Sequence, residues 1–415
     1  MDLAGRPSRA HRVDLNTLLD RIAAVSPVEA IDVMVDELTA VLEARTGCFL
    51  IADLSGRLLS RFGGTRWNAA RQHQQGARHA HAEPLSGTAY ERVLHDQVVD
   101  VAALAAGVRV MVPVSDRGDA IGVLELELAE RPDDALLADV VAAARTLAYV
   151  VVACRRHTDL FEWAQRTRPF TLAAEIQRRL LPTAFTCETG QFTVSGWLEP
   201  ADAVGGDTFD YALDRDTLHV SITDAVGHDV NAAMLATVLV GGLRNGRRRG
   251  AGLLEQAAAA NDALAAHSGV GEFVTGQLVR VDRARAAATI VNAGHPFPLR
   301  LRDGRVEELE LEIDLPFGLE PGRSFRPQSI ALRPGDRIVL VTDGMLERNA
   351  EDMDIHAFLA RTAHLHSREV VHLLGDEVLQ ATGGDLRDDA TTVCIDWHGG
   401  SPAGRSADHP DHPDR

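Results

Sequence analysis

"SITDAVGHDVNAAM", residues 221–234, changes periodicity halfway along. Ser221, Ile222 and Thr223 continue the β-favouring run Leu218-His219-Val220, whereas from Asn231 onward the apolar residues fall at helical spacing. Asp224 stands between the two patterns, at the point where a buried strand emerges, and Gly227, His228 and Asp229 follow it. A strand that ends in a carboxylate recurs downstream. "VGGDTFDY" supplies Asp207 and "RIVLVTDGMLE" supplies Asp343, while in "LRDDATTVCIDW" the pair Asp388 and Asp389 precedes the strand. A single aspartate of this kind is an ordinary turn former or helix cap. Several in one domain, each attached to a strong strand, point elsewhere. Strand ends can converge on one edge of a sheet, and carboxylates gathered there repel one another and are costly to bury. A divalent cation removes that conflict. Oxygen ligands without cysteine suit magnesium or manganese and not zinc.

Composition narrows the field. The 415 residues suffice for two or three domains. A formal net charge of −18 argues against a general binder of nucleic acid or of an anionic membrane. Cys48, Cys154, Cys187 and Cys394 are far apart and form no CxxC pair, so neither a zinc site nor a disulfide framework is expected. The start of the chain lacks the apolar core of a signal peptide, and the apolar stretches around Leu147–Cys154 and Ala232–Leu243 read as buried helices. These features lead to an expected cytoplasmic location.

Ahead of the acidic segments, residues 14–45 carry apolar residues at three- and four-residue steps and predict two helices. "CFLIADLSGRLLSRFG" predicts two strands about a turn, residues 65–82 a polar loop, "GTAYERVLHDQ" a short helix and "VRVMVPVSDRGDAIGVLELEL" a hairpin. This order of elements over residues 14–150 resembles a GAF-like sensor domain. Residues 134–181 are helical in pattern, interrupted by Pro169 and ended by Pro182. The segment 151–182 is therefore expected to connect the two halves. It serves either as a packed linker or as a transmission helix that offers a homodimer surface. Residues 399–415 have almost nothing apolar to bury and predict a disordered tail.

"VGGD", then "TDAVGHDVNAAM" with its aspartate 17 positions on, then "NAGHPFPL", "LPFGL", "PGDRIVLVTDGMLE" and "RDDATTV" follow one another in this order. The set resembles the SpoIIE-type, RsbU-like branch of the metal-dependent (PPM) serine/threonine protein phosphatases over residues 183–398. The resemblance implies an α+β chain, with a C-terminal α/β/β/α sandwich of two antiparallel sheets and two Mn²⁺ or Mg²⁺ ions at one end. Carried over, Asp224 would bridge both metals and be the central catalytic ligand, and the Ala225 carbonyl would help hold one ion. Asp343 and Asp388, with Asp389 as the adjacent alternative, would hold the other. Asp207 would bind metal directly or through water. Gly205 and Gly206 would let the backbone pass close by. Paired cations activate a water for in-line attack and neutralise phosphoryl oxygens.

His228 is either the acid that protonates the departing oxygen or structural, and His295 either faces the site or fixes its own loop. Asp229 or Asn231 is expected to cap the helix that follows. The implied substrate is a phosphorylated STAS-type anti-sigma-factor antagonist. Two departures from the family pattern, Asp229 in Gly-His-Asp and Thr208 after the GGD run, bear on metal affinity and substrate preference. A phosphatase fold that no longer turns over, kept as a scaffold, and a hydrolase of small phosphate esters are the alternatives.

Overall fold

The computed structural model describes residues 13–64, 82–167, 169–201, 205–227, 229–346, 353–384 and 386–400. The expected loop at 65–82, apart from its last residue, lies outside the described residues, as do His228 and the tail beyond residue 400. The chain divides into two compact units, with the boundary between Pro169 and Phe170.

Unit 1 contains α1 (Leu15–Ala23), α2 (Ala30–Val41), β1 (Thr46–Ala52), β2 (Leu58–Gly64), β3 (Ala82–Pro84) and α3 (Ala89–His95). These are followed by β4 (Asp100–Leu104), β5 (Gly107–Asp116), β6 (Asp119–Leu128), α4 (Asp134–Cys154) and α5 (Leu160–Gln165). The six strands form one antiparallel sheet in the order β3-β2-β1-β6-β5-β4. On one face Met34, Leu38, Leu147, Val151 and Phe161 pack with Phe49, Val112 and Leu124 of the sheet. On the other face α3 places Tyr90, Val93 and Leu94 against Leu50, Leu59 and Met111. Helix α4 is long and apolar enough, by length and composition alone, to cross a membrane. Its residues Val140, Ala143, Ala144, Leu147 and Val151 nonetheless belong to the core of this unit.

Unit 2 opens with α6 (Leu172–Leu180), capped at its start by the Thr171 hydroxyl on the Ala174 amide. Then come β7 (Thr186–Glu188), β8 (Phe192–Glu199), β9 (Thr208–Leu213), β10 (Thr217–Ala225), α7 (Asp229–Arg248), α8 (Leu253–Ala265), β11 (Val274–Asp282) and β12 (Ala287–Ala293). Next are β13 (Leu299–Arg302), β14 (Arg305–Glu308), β15 (Gln328–Ala331), β16 (Asp336–Val341), α9 (Ile355–Arg361), α10 (Ser367–Ala381) and β17 (Ala390–Trp397). Two sheets form, in the orders β15-β12-β11-β10-β9 and β14-β13-β16-β17-β8-β7, and every strand pairing in both is antiparallel.

Strand alternation sorts the side chains of unit 2 into layers. Leu218, Val220 and Ile222 of β10 meet Ile338 and Leu340 of β16 and Val393 and Ile395 of β17, so the two sheets share one core. The opposite face of the first sheet carries α7 and α8, whose Leu235, Leu239, Leu243, Ala257 and Leu264 cover Val274, Leu278 and Val291. The opposite face of the second carries α9 and α10, with Phe358, Leu359, Val370 and Leu374 over Trp197, Val339 and Cys394. The result is an α/β/β/α sandwich, as expected.

Candidate active site

Alternation along β10 decides where Asp224 points. Leu218, Val220 and Ile222 face the second sheet, so Asp224 lies on that same inner face, as its last residue. On the neighbouring strand Phe209 sits opposite Ile222 and also faces inward. Asp207, two residues earlier, therefore comes to the same edge. On the second sheet Ile338 and Leu340 face inward from β16, and the alternation brings Thr342 to the rim with Asp343 starting a 3₁₀ turn, Asp343–Leu346. Val393 and Ile395 face inward from β17, which brings Thr391 to the rim just after Asp388 and Asp389.

Hydrogen bonds fix two of these acids from beneath. The Asp207 carboxylate is buried and crosses from one sheet to the other: its Oδ2 accepts from the Thr342 hydroxyl at 2.8 Å and from the Thr391 hydroxyl at 2.6 Å. Thr342 also accepts the Thr391 amide at 2.9 Å, which locks the two threonines together. Asp389 is equally buried. It accepts from the Ala201 amide (2.9 Å), the Gly205 amide (3.1 Å) and the side chain of Gln177 on α6 (2.5 Å). The Gln177 amide also donates to the Asp207 carbonyl at 2.8 Å. Asp224 and Asp388 are half-buried and Asp343 is exposed, so these three open to solvent above the buried pair.

The backbone passes close to the acids. A Cβ on Gly205 would lie 2.8 Å from Asp388 Oδ1, and one on Gly206 would lie 2.5 Å from the Ala225 carbonyl oxygen. Glycine at both positions lets this segment lie against the carboxylates and the Ala225 carbonyl. The Ala225 amide in turn donates to the Gly206 carbonyl at 3.4 Å.

Charge of one sign accumulates here. Burial pushes Asp224 up to about 7, and Asp343, Asp388 and Asp389 add to the shift. Burial pushes Asp389 up to about 6, opposed by its Gln177, Ala201 and Gly205 bonds and reinforced by Asp388. Asp207 is raised well above the usual carboxylate range by burial, then by Asp224 and Asp389, against its two threonine bonds. The charged groups that raise these three are neighbouring aspartates. Such a set fits hard divalent cations. Among the described residues no three His, Cys, Asp or Glu side chains already close into a coordination shell.

The structure thus brings Asp207, Asp224, Asp343 and Asp388 to one end of the sandwich, with Asp389 and the Ala225 carbonyl beside them. His295 is buried beneath, its Nδ1 3.0 Å from the Thr275 hydroxyl. Asp229 and Asn231, the two residues expected to cap α7, both lie in its first turn, and the position before the helix, residue 228, is outside the described residues. The Asn231 side chain donates to Glu272 at 2.8 Å, and Asp229 opens the helix with a left-handed φ of 68°. Gln177, Thr342 and Thr391 escaped the sequence reading. The two threonines do stand inside its motifs, beside the acids of "VTDG" and "DDATT".

Fold and site together define a mixed α/β chain with an acid-lined sandwich, and residues 214–398 match the family described as Stage II sporulation protein E (SpoIIE). That matched span holds Asp224, Asp343, Asp388 and Asp389, and Asp207 precedes it. Among individual relatives, the phosphoserine phosphatase RsbU of Bacillus subtilis (strain 168) is 22% identical over 231 residues, 54% of this chain and 68% of RsbU. The phosphoserine phosphatase RsbP of the same organism is 23% identical over 193 residues, 44% of this chain and 46% of RsbP. A crystal structure of the RsbU and RsbW domains of a Mycobacterium tuberculosis protein is 24% identical, with a TM-score of 0.46, over 56% of this chain and 65% of that one.

Proposed function

We propose that this protein is a metal-dependent phosphatase that hydrolyses phosphoserine or phosphothreonine on a partner protein of the STAS-type anti-sigma-factor antagonist class. The observation that carries this reading is the meeting of five aspartates, from four remote segments, at one end of the sandwich of a SpoIIE-family domain. Two Mn²⁺ or Mg²⁺ ions, when bound, would activate water and neutralise phosphoryl charge. Asp224, at the rigid end of β10, would hold the ions together with the Ala225 carbonyl, and Asp343 and Asp388 would supply further oxygen ligands. Asp207 commits Oδ2 to the two threonines, which leaves Oδ1 as its oxygen for a cation. Asp389 holds the Gly205 amide and so keeps the glycine segment against the acids. Unit 1 acts as a GAF-like sensor that sets the rate, and the protein works in the cytoplasm.

The test is phosphate release from a phosphorylated STAS protein in the presence of Mn²⁺. Wild type is expected to turn over, while Asp224→Ala and Asp343→Ala, folded by circular dichroism, are expected to lose activity. Turnover by these variants at the wild-type rate would end the assignment. Activity confined to small esters would identify the chain as a small-ester hydrolase, and metal binding without turnover would identify a scaffold.

A further inference from the structure

The turn Ala293-Gly294-His295-Pro296 is built to send His295 into the interior. Asn292, fully buried, holds the turn at both ends: its carboxamide oxygen accepts from the His295 amide and its nitrogen donates to the His295 carbonyl, both at 2.9 Å. Gln277, the partner of Asn292 across β11 and β12, donates to the Pro296 carbonyl at 2.6 Å. Gly294 takes a left-handed φ of 69°, with Pro316 packed where a Cβ would be. Three hydrogen bonds from two buried side chains thus fix the turn that carries one buried imidazole.

That imidazole lies beside the strand end that bears Asp224. Nδ1 meets the hydroxyl of Thr275, and Thr275 stands directly opposite Asp224 in the β10–β11 register. Opposed residues of an antiparallel pair share a face, with Cβ atoms about 5 Å apart. The other ring nitrogen, Nε2, is buried without a hydrogen-bond partner among the described residues. The Val341 backbone acts on the ring in the direction that favours its protonated form. Val341 belongs to the second sheet and precedes Asp343 by two residues. Burial holds the ring neutral, with its pKa pushed down to about 3. A neutral ring with its proton on Nε2 presents Nδ1 as an acceptor for the Thr275 hydroxyl.

We propose that His295 is a positioning residue: through the Thr275 hydroxyl it braces the end of β11 that stands opposite Asp224 and thereby fixes where that carboxylate lies among the other acids. This inference rests on the reading of these acids as metal ligands. A carboxylate site depends on the groups that orient its ligands, and loss of such a group typically weakens metal binding about 10–100-fold. His295 would act through Thr275, with no contact to substrate.

The experiment is titration calorimetry of the full chain with Mn²⁺, alongside melting in EDTA, for wild type, Thr275→Val, His295→Phe, His295→Asn and Asp224→Asn. Thr275→Val removes one hydroxyl, and His295→Phe keeps the ring volume without its nitrogens. Both are expected to weaken Mn²⁺ binding about tenfold or more. His295→Asn retains an acceptor at the δ position and is expected to recover part of that loss. Thr275→Val is expected to melt in EDTA within a few degrees of wild type, which separates positioning from folding. Wild-type Mn²⁺ affinity in Thr275→Val overturns the inference even if both His295 variants fail to fold. If wild type itself bound no Mn²⁺, the metal reading would fall and take this inference with it. Tight binding by wild type, lost in Asp224→Asn yet unchanged in the Thr275 and His295 variants, would overturn the positioning role alone.

Discussion

Asp224 shows what the site costs the fold. Its carboxyl is pushed up to about 7, above the ordinary value of about 3.9. Between those two pH values the folded metal-free chain retains a proton that the unfolded chain has released, so this group makes stability fall as pH rises. Asp389, pushed up to about 6, works in the same direction over a narrower window. A cation that replaces the proton removes the penalty, and its binding weakens as pH falls below about 7 because it must displace that proton. Asp224→Asn removes the ionisation without changing the shape. In EDTA at pH 8 this variant is expected to melt above wild type, by about 2–4 °C for each kcal/mol relieved, while at pH 4 the two should converge. With Mn²⁺ at pH 8 the order should reverse, because only wild type gains from the ion. Differential scanning calorimetry at the two pH values decides it. A variant that melts below wild type in EDTA at pH 8 would show that Asp224 is not strained by its neighbours.

At the scale of the element, two close passages keep the acids together: the Gly205-Gly206 segment against Ala225 and the carboxylates, and Gly344 against the Asp389 carbonyl. A Cβ on Gly206 would lie 2.5 Å from both the Cβ and the carbonyl oxygen of Ala225, and backbone at that distance has no rotamer by which to yield. Gly206→Ala is therefore expected to displace the segment that carries Asp207, cost about 1–3 kcal/mol and weaken Mn²⁺ binding. Chemical denaturation and calorimetry together check both effects. The sequence made this much of the site legible because strand alternation is a local signal and an aspartate at a strand end interrupts it visibly. Thr342 and Thr391 were not legible as partners of Asp207. Their hydroxyls reach it only because β9 and β16–β17 belong to different sheets that stack with these ends aligned, and no spacing along the chain encodes that. Gln177 was hidden for the same reason, since it lies on a short amphipathic helix 30 residues before the backbone carbonyl it caps.

At the scale of the whole molecule, the boundary after Pro169 falls within the segment expected to connect the halves. Helices α4 and α5 contribute to the core of unit 1, whereas α6 belongs to unit 2 and lies over its acids through Gln177. If unit 1 governs the rate, α6 is the element in unit 2 best placed to receive the signal, because one side chain on it touches both buried carboxylate positions. The polypeptide 170–400 is expected to fold, to bind Mn²⁺ and to hydrolyse a phosphate ester at a rate different from that of the full chain. Gln177→Ala leaves the helix backbone intact and removes only the two bonds to Asp389 and to the Asp207 carbonyl. In both chains it should weaken Mn²⁺ binding, about 10–100-fold by the usual effect of an orienting group, and it should shrink the difference in rate between them. Steady-state rates across a Mn²⁺ titration, measured for the four proteins side by side, give the answer. Equal rates and equal metal dependence in the two wild-type chains would leave α6 as a cover for the acids and remove unit 1 from control of the reaction.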